Sequence, residues 1–326
     1  MRFVYVMDPM DRVAADKDTT FAFLRAAQAR GHVALHCEPR DLYAKGGDVY
    51  ARTRTLTVMP VAPYAMFGAT ENVRLADVDA VLVRKDPPFD ALYLYATHLL
   101  ELARGKTVII NDPRGLRDSN EKLYALHFAQ WMPRTLVSSS EEQLLDFLKN
   151  EIGGHGVVKP LDLAGGSGVM MLAPGDKNTK SILGLLTGDG QRLVMLQEFL
   201  PGVVQGDKRV LLLDGQILGA INRVPRSDDL RSNIHVGGSV EPCEVTDRER
   251  AMVADMAPRL VRDGLVFVGL DVIAGKLTEV NVTSPTGIQQ LSAHRNRDVA
   301  EDVVVWLERA ATKLVGLRGS MHKNAL

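Results

Sequence analysis

Residues 266–287 place three oxygen-bearing side chains within an otherwise apolar stretch that has the pattern of a β-hairpin. Two apolar runs flank a short break, Ala274-Gly275-Lys276, which is a hairpin signal. Asp271, Glu279 and Asn281 interrupt the runs. Because Glu279 and Asn281 are two residues apart, their side chains point to the same face of a strand.

The length of the turn decides whether Asp271 shares that face. A two-residue turn at 274–275 would pair Asp271 with Thr278 and leave Glu279 on the other face. A three-residue turn from Ala274 to Lys276 pairs Asp271 with Glu279 instead. A site that uses both carboxylates therefore predicts the longer turn, and a strict two-residue turn would remove Asp271 from such a site.

Two carboxylates and an amide oxygen on one buried face repel one another unless a cation lies between them. Mg²⁺ prefers such hard oxygen ligands, usually takes one or two carboxylates, and completes its shell with phosphate oxygens and water. One interpretation is a magnesium–nucleotide site. The other is the solvent-facing polar side of an ordinary antiparallel sheet, and the hairpin residues alone leave both open.

The composition excludes several other classes of protein. Of the 326 residues, 46% are hydrophobic and 24% charged, which is ordinary for a soluble globular protein. A net charge of −1 gives no electrostatic argument for binding nucleic acid or an anionic membrane. Cys37 and Cys243 are far apart without metal-type spacing, which fits a reducing compartment. Since no signal peptide or membrane-spanning run is evident, we expect a cytoplasmic protein.

The N-terminal part predicts an open α/β domain. A strand at 2–7, a helix capped by Asp18 and a strand at 32–37 form a β-α-β unit, which implies a parallel sheet. The segment from Val49 to Val58 alternates apolar residues with arginine and threonine, a pattern typical of an edge strand. The first turn lacks a G-x-G-x-x-G motif, so a dinucleotide site is not expected there.

Arg84 lies at the carboxyl end of another predicted strand, just before Pro87 and Pro88 end it. Ligands of open α/β sheets bind at that edge. Arg84 is therefore a candidate to hold an anionic group, and a surface arginine that caps a loop is the alternative.

A second segment with candidate ligand-binding residues runs from Gly156 to Val169. Lys159 lies on an otherwise apolar strand, and a loop, Gly165-Gly166-Ser167-Gly168, follows it. Glycines allow a close approach to phosphate, and successive backbone amides form an anion-binding nest. Such a loop by itself is more often a plain hairpin turn, and it is not a Walker motif. A buried ammonium needs a partner, however, and a nucleotide phosphate would supply one.

Residues 225–238 form a long polar segment with paired glycines. A loop of this length inside a compact domain is usually a lid or a binding loop. It contains Arg231 and Asn233, and Arg223 stands at its entrance.

Together these blocks resemble the ATP-grasp superfamily and, within it, the bacterial glutathione synthetases. The likeness covers nearly the whole chain. It rests on these motifs: Val6-Met7-Asp8-Pro9, Arg84-Lys85-Asp86-Pro87-Pro88-Phe89-Asp90, Arg117-Asp118-Ser119-Asn120-Glu121-Lys122, Lys159-Pro160-Leu161-Asp162, Gly206-Asp207-Lys208-Arg209-Val210, Gly269-Leu270-Asp271 and Thr278-Glu279-Val280-Asn281-Val282-Thr283-Ser284-Pro285-Thr286. The 225–238 segment departs from the family pattern, which leaves the details of lid closure open.

The resemblance implies an ATP-grasp fold of the α/β (α+β) class. The expected parts are an N-terminal α/β domain at 1–121, a central lid domain at 122–200 and a C-terminal catalytic domain with an antiparallel sheet at 201–316. A final helix from Asp298 to Leu314 precedes a flexible tail at 317–326. ATP would lie between the central and C-terminal sheets.

The resemblance also implies a nucleotide site with a divalent cation, Mg²⁺ or Mn²⁺. The expected cation ligands are Asp271, Glu279 and Asn281. The residues expected to bind ATP are Lys122 and Lys159 at the phosphates, Gly165, Gly166 and Ser167 in the covering loop, Gln197, Glu198, Phe199 and Leu200 at the adenine, and Asp207 at the ribose.

A further set is expected to act on the other substrates. Arg209 and Arg223 would stabilise an acyl phosphate and the tetrahedral intermediate, and Arg231 would close over them to exclude water. The remaining substrate contacts are expected from Arg84, Asn233, Ser284 and Thr286.

The implied reaction joins γ-glutamylcysteine and glycine to form glutathione, with ADP and phosphate as the other products. ATP first converts the cysteinyl carboxylate to an acyl phosphate, and the amine of glycine then attacks it. A homotetramer is expected from the family. The alternatives are a D-alanine–D-alanine ligase, a glutamate-adding ligase, or a non-catalytic ATP-binding scaffold.

Overall fold

The computed structural model describes residues 1–163, 165–225 and 239–323. Its strands are β1 (Arg2–Met7), β2 (Val33–Cys37), β3 (Leu42–Lys45), β4 (Asp48–Val58), β5 (Ala65–Arg74), β6 (Ala80–Arg84), β7 (Val108–Ile110), β8 (Thr135–Ser138), β9 (Gly156–Pro160), β10 (Met170–Leu172), β11 (Val194–Glu198), β12 (Asp207–Leu213), β13 (Gln216–Val224), β14 (Ser239–Pro242), β15 (Phe267–Ile273) and β16 (Lys276–Asn281). Its α-helices are α1 (Thr19–Ala29), α2 (Ala91–Glu101), α3 (Pro113–Asp118), α4 (Glu141–Asp146), α5 (Thr179–Thr187), α6 (Asp247–Arg262), α7 (Ile288–Arg295) and α8 (Ala300–Lys323).

The N-terminal sheet has seven strands in the order β3-β4-β2-β1-β6-β7, with β5 paired to β4. β1 pairs in parallel with β2 and β6, as the β-α-β pattern predicts. The Asp18 carboxylate caps α1 by accepting a hydrogen bond from the Phe21 amide at 2.8 Å. The edge-strand prediction for 49–58 is wrong, because β4 pairs with β2, β3 and β5. Its alternation instead reflects a long hairpin with one exposed face.

The central unit is a four-stranded sheet in the order β10-β9-β11-β8, in which every pairing is antiparallel. Apolar residues of α4, α5 and the sheet form its own core, which includes Leu144, Leu183 and Leu196. Lys159 lies on β9 opposite Met195 of β11, so the sheet fixes its position.

The C-terminal sheet has five antiparallel strands in the order β14-β13-β12-β15-β16. α6 begins at a capping box formed by Thr246 and Glu249. The last helix, α8, packs on α1 of the N-terminal domain through the ion pair between Arg30 and Glu308. The prediction that this helix ends at Leu314 is wrong, because α8 continues to Lys323.

Asn111 fixes the N-terminal sheet to the hairpin of β15 and β16. Its side-chain amide donates to the carbonyl oxygens of Phe267 at 2.8 Å and Val282 at 2.6 Å, and its oxygen accepts from the Phe267 amide at 2.8 Å. Because Asn111 is buried, no water competes for these bonds. The end of β7 thus holds the hairpin in a defined position.

None of the helices in the described ranges is both long and apolar enough to cross a membrane.

Candidate active site

The β15–β16 hairpin places Asp271 opposite Glu279, but not through the turn that the sequence predicts. Ile273 pairs with Lys276, so the turn contains only Ala274 and Gly275. Both have positive φ, +49° and +72°, as a tight two-residue turn requires. The expected three-residue turn is therefore wrong.

A β-bulge at Thr278 restores the pairing of the two carboxylates. Val272 pairs with Leu277 and Asp271 with Glu279, which leaves Thr278 as the extra residue. The Thr278 hydroxyl donates to the Asp271 carbonyl at 3.2 Å and so supports the bulge. The register also places Asn281 opposite Gly269, on the same face as Asp271 and Glu279.

Asp271 is held by two buried arginines. Arg209 lies directly opposite on β12 and donates to both carboxylate oxygens, at 2.5 and 3.0 Å. Arg223 approaches Oδ1 of Asp271 at 3.0 Å. Burial raises the pKa of Asp271, but the charges of Arg209 and Arg223 outweigh it and hold this pKa well below its usual range.

Arg223 also joins Asp207 to this network. Its Nη2 donates to Oδ2 of Asp207 at 2.6 Å, and its Nε donates to the Asp207 carbonyl at 3.3 Å. Burial lowers the pKa of Arg223, but the carboxylates of Asp207 and Asp271 raise it more strongly. The network contains two cations and two anions, so these buried charges compensate one another.

Glu279 faces two buried ammonium groups across the gap between the central and C-terminal sheets. Its Oε1 lies 3.8 Å from Nζ of Lys122 and 4.0 Å from Nζ of Lys159. Burial lowers the pKa of Lys159, and the Glu279 carboxylate opposes that change. Since both distances exceed a hydrogen bond, one carboxylate only partly compensates two cations. An anion bound here would neutralise the remaining positive charge of the two lysines.

The Lys122 ammonium also donates to the Leu163 carbonyl at 2.7 Å, at the start of the glycine loop. Gly165 and Gly166 of that loop have φ of +67° and +78°, a backbone that side chains rarely permit. The predicted phosphate-binding lysines and loop are therefore brought together. Ala164, in the same loop, lies outside the described residues.

The three predicted cation ligands share one face, but they do not form a closed metal cage. No group of three or more His, Cys, Asp or Glu side chains converges in the described ranges. Asn281 donates through Nδ2 to the Gly269 carbonyl at 3.2 Å, which leaves its Oδ1 to accept or coordinate. Two carboxylates and an amide oxygen fit Mg²⁺, which takes further ligands from phosphate and water. To coordinate Mg²⁺, Asp271 would have to give up a contact with Arg209 or Arg223.

The predicted adenine segment lies at the end of β11. The amides of Glu198 and Phe199 donate to the carbonyl oxygens of Arg134 and His155, at 2.9 and 3.1 Å. The Gln197 side chain donates to Thr135. Leu200 follows the strand, and the described chain supplies no backbone acceptor for its amide. Among these amides, Leu200 is thus the available donor to an adenine.

Arg84 is buried, so its interpretation as a surface arginine is wrong. Its Nε donates to the Thr20 hydroxyl at 3.2 Å, and its Nη2 donates to the Pro285 carbonyl at 3.0 Å. Burial lowers its pKa. Pro285 lies between Ser284 and Thr286, and the Thr286 carbonyl accepts from Arg209 at 3.3 Å. The predicted substrate residues of this loop therefore lie between Arg84 and the Arg209–Asp271 pair.

Comparison with protein families identifies both parts of the chain. Residues 1–117 match the family described as prokaryotic glutathione synthetase, N-terminal domain. Residues 121–296 match the description prokaryotic glutathione synthetase, ATP-grasp domain. The chain belongs to the prokaryotic glutathione synthetase family.

Curated glutathione synthetases resemble the chain over most of its length. The protein from Synechocystis sp. is 41% identical and covers 95% of this chain and 99% of its own length. The one from Salmonella typhimurium is 42% identical over 88% of this chain and 92% of its own. The one from Bradyrhizobium diazoefficiens is 41% identical over 94% of this chain and 98% of its own.

Solved structures of other proteins share the fold of this glutathione synthetase family member. A D-cycloserine synthetase matches with a TM-score of 0.65 over 96% of this chain and 99% of its own, at 17% identity. The ATP-grasp ligase PsnB, complexed with a precursor peptide and AMPPNP, matches with a TM-score of 0.60 over 95% of this chain and 97% of its own, at 18% identity. The predicted ATP-grasp fold is therefore confirmed.

One acidic residue near the site was not singled out in the sequence. Glu121 accepts a hydrogen bond from the Thr283 hydroxyl at 2.7 Å, and its carbonyl accepts from the Val280 amide at 2.9 Å. Burial raises the pKa of Glu121, and the nearby Glu279 carboxylate raises it further. Its only sequence signal is its place in the polar segment just before Lys122.

Arg231 and Asn233 lie outside the described residues. Their assigned roles, like that of residues 225–238 as a lid, remain predictions.

Proposed function

We propose that this chain is a glutathione synthetase that joins γ-glutamylcysteine to glycine and converts ATP to ADP and phosphate. The observation that carries the proposal is the approach of two buried ammonium groups, those of Lys122 and Lys159, to the Glu279 carboxylate. This arrangement lies between two antiparallel sheets in a chain whose family is prokaryotic glutathione synthetase.

Lys122 and Lys159 bind the phosphates of ATP in this proposal. An incoming polyphosphate replaces the Leu163 carbonyl as the partner of Lys122 and compensates the charge of Lys159. The loop of Gly165, Gly166 and Ser167 covers the phosphates with its backbone amides. The adenine binds at the end of β11, and Asp207 holds the ribose.

Asp271, Glu279 and Asn281 would hold Mg²⁺ or Mn²⁺, which would cancel charge on the phosphates during transfer. Glu279 and the Oδ1 atom of Asn281 are the accessible donors, since Asp271 is engaged by Arg209. Glu279 therefore has two tasks, because its carboxylate also faces the ammonium groups of both lysines.

Arg209 and Arg223 act on the acyl group. The γ-phosphate passes from ATP to the cysteinyl carboxylate, and the amine of glycine then attacks the carbonyl carbon as phosphate leaves. Both guanidinium groups are fixed by Asp271, so they are oriented before the substrate arrives. Pre-oriented cations stabilise developing negative charge without reorganisation.

The family also supports three further proposals. The domains divide at 1–121, 122–200 and 201–316, and the expected tail at 317–326 begins within α8, which continues to Lys323. The enzyme works in the cytoplasm, and it assembles as a homotetramer, which analytical ultracentrifugation tests.

Substrate dependence tests the function. With ATP and Mg²⁺, we expect ADP release to require both γ-glutamylcysteine and glycine, and mass spectrometry to detect glutathione. ADP release that requires D-alanine or glutamate instead would assign another ATP-grasp ligase activity. Absence of turnover with all of these acceptors, together with ATP binding, would favour a scaffold.

A further inference from the structure

Gly269 lies inside β15, two residues before Asp271, so a side chain there would point to the same face of the sheet as Asp271. Glycine weakens the interior of a strand and often marks a place where another group approaches the backbone closely. Gly269 is buried, and its φ is not positive, so its backbone conformation would permit alanine. The reason for a glycine at this position is therefore space.

The space in front of Gly269 is filled by two neighbouring residues. A methyl group on its α-carbon would lie 2.8 Å from Cδ of Arg209 and 2.9 Å from Cβ of Pro285. Since non-bonded carbon atoms prefer separations of about 3.5–4.0 Å, alanine would displace at least one of these neighbours. Gly269 thus forms the floor of a slot that holds the aliphatic part of Arg209 and is bordered by Pro285.

Both neighbours are fixed at their far ends, so neither can move freely. Nε and Nη2 of Arg209 donate to the Asp271 carboxylate at 2.5 and 3.0 Å, and Nη1 donates to the Thr286 carbonyl at 3.3 Å. The Pro285 carbonyl accepts from Nη2 of Arg84 at 3.0 Å. A shift of Arg209 would weaken its contact with Asp271, and a shift of Pro285 would move the loop that contains it.

The backbone carbonyl of Gly269 serves the proposed cation site, and a side chain at this position would leave it in place. The carbonyl oxygen accepts from Nδ2 of Asn281 at 3.2 Å. The three atoms nearest to an added methyl group belong to Arg209 and Pro285, not to the lysines that face Glu279. A substitution of Gly269 therefore acts first on the arginine side of the site.

We propose that Gly269 is a positioning residue for acyl transfer, because the absence of a side chain there lets Arg209 lie across β15 and reach Asp271. The proposal rests on the function proposed above, in which Arg209 stabilises the acyl phosphate. Gly269 makes no contact with the substrate in this role. It sets the position of the Arg209 guanidinium relative to the loop of residues 284–286, where contacts with the acyl substrate are expected.

Gly269→Ala tests this role by separating turnover from nucleotide binding. We expect kcat for glutathione formation to fall roughly 10- to 100-fold, because small displacements of a catalytic group have effects of this size. The dissociation constant for ATP with Mg²⁺, measured by calorimetry, should stay within about twofold of that of the unmodified protein. Normal turnover of Gly269→Ala would overturn the positioning role while glutathione synthesis still stood.

Gly219→Ala is the matched control, because it crowds the same sheet without touching Arg209. Leu211 of β12 pairs with Gly219 of β13 on one side and with Gly269 on the other. A methyl group on Gly219 would lie 2.7 Å from Cδ1 of Leu291 on α7, and the φ of Gly219 is +156°. This variant should melt at a lower temperature than the unmodified protein and keep its kcat within about twofold. A loss of turnover as large as that of Gly269→Ala would show that general destabilisation of the sheet explains both.

A second substitution shows whether the added methyl group acts through Arg209. Arg209→Ala removes Cδ and Nε and so opens the slot. In this background, Gly269→Ala should change kcat by less than about twofold and should lower the Tm much less than it does alone, because residues in contact have non-additive effects. Equal falls in Tm with and without Arg209→Ala would overturn the proposal.

The melting comparison also decides the outcome when Gly269→Ala alone does not fold. Recovery of a folded protein on addition of Arg209→Ala would support the slot, whereas an unfolded double variant beside a folded Arg209→Ala would overturn it. Melting does not depend on the reaction. The slot is therefore tested even if the substrate assays assign another ligase activity to the protein.

Discussion

Asp271 and Glu279 are cross-strand partners although the turn between their strands contains only two residues. The extra residue that this pairing needs lies in the strand, as the bulge at Thr278, and not in the turn. The bulge brings a carboxylate fixed by two arginines beside a carboxylate that faces two lysines. The hairpin thus joins the acyl-transfer and phosphate sides of the proposed site.

The bulge should make the stability of the protein sensitive to the substitution Thr278→Val. It removes the hydrogen bond from the Thr278 hydroxyl to the Asp271 carbonyl while keeping the shape of the side chain. We expect the free energy of unfolding in urea to fall by about 1 kcal/mol. Thr57→Val, at an exposed position of β4, should leave it nearly unchanged. Equal stability of both variants would contradict a supporting role for the hydroxyl.

Asp271 and Glu279 should respond differently to loss of charge. Asp271→Asn leaves the buried guanidinium groups of Arg209 and Arg223 undercompensated, so we expect a loss of about 3–5 kcal/mol in unfolding free energy. Glu279→Gln should lower the unfolding free energy by less, because the contacts of Glu279 with the lysines are longer. It should nevertheless reduce turnover by orders of magnitude.

The control for this pair is Asp302→Asn. Asp302 also accepts two hydrogen bonds from one arginine, Arg297, but the pair is exposed. Asp302→Asn should lower the unfolding free energy by about 0–1 kcal/mol. If Asp271→Asn costs no more than Asp302→Asn, the buried network is not the structural element inferred from its geometry.

Lys159→Ala should raise the dissociation constant for ATP and reduce turnover by orders of magnitude while the protein stays folded. The reason is that Lys159 is fixed on β9 facing Glu279 and has no other predicted role. Lys149→Ala, on an exposed helical position, is the control. Nearly normal turnover of Lys159→Ala would refute its assignment to the phosphates.

The contact between α1 and α8 predicts a pH dependence of stability. Arg30 and His32 lie 2.8 and 2.6 Å from the Glu308 carboxylate, and the hydrogen bond from Arg30 is the largest influence that lowers its pKa, to about 2. Because this pKa is lower in the folded state, the stabilisation is present above the ordinary glutamate pKa and is lost as pH falls toward 2.

Glu308→Gln should therefore melt at a lower temperature than the unmodified protein at neutral pH, and the difference should shrink progressively in acid. Glu301→Gln, which alters a more exposed partner of Arg30, should show a smaller difference. A difference that is constant across this pH range would show that the contact acts through packing and not through charge.

The sequence predicts the fold better than it predicts the local geometry of the candidate site. Apolar runs locate Lys159 and Glu279 on strands, and the family likeness implies the sheets between which they lie. The bulge at Thr278 leaves no such signal, because a bulge depends on pairing across strands. Burial of Arg84 was equally unpredictable, since its partners Thr20 and Pro285 are distant in the chain. Glu121 was missed because its hydrogen-bond partners Thr283 and Val280 are distant in the chain.

The central claim is that the carboxylate of γ-glutamylcysteine is activated by phosphoryl transfer from ATP. It is tested most directly with γ-glutamylcysteine carrying ¹⁸O in its cysteinyl carboxylate, followed by mass spectrometry of the inorganic phosphate released in the presence of ATP and glycine. The account predicts transfer of one ¹⁸O atom to phosphate for each glutathione formed. Glutathione formation with unlabelled phosphate would contradict an acyl phosphate and the roles assigned to Arg209 and Arg223.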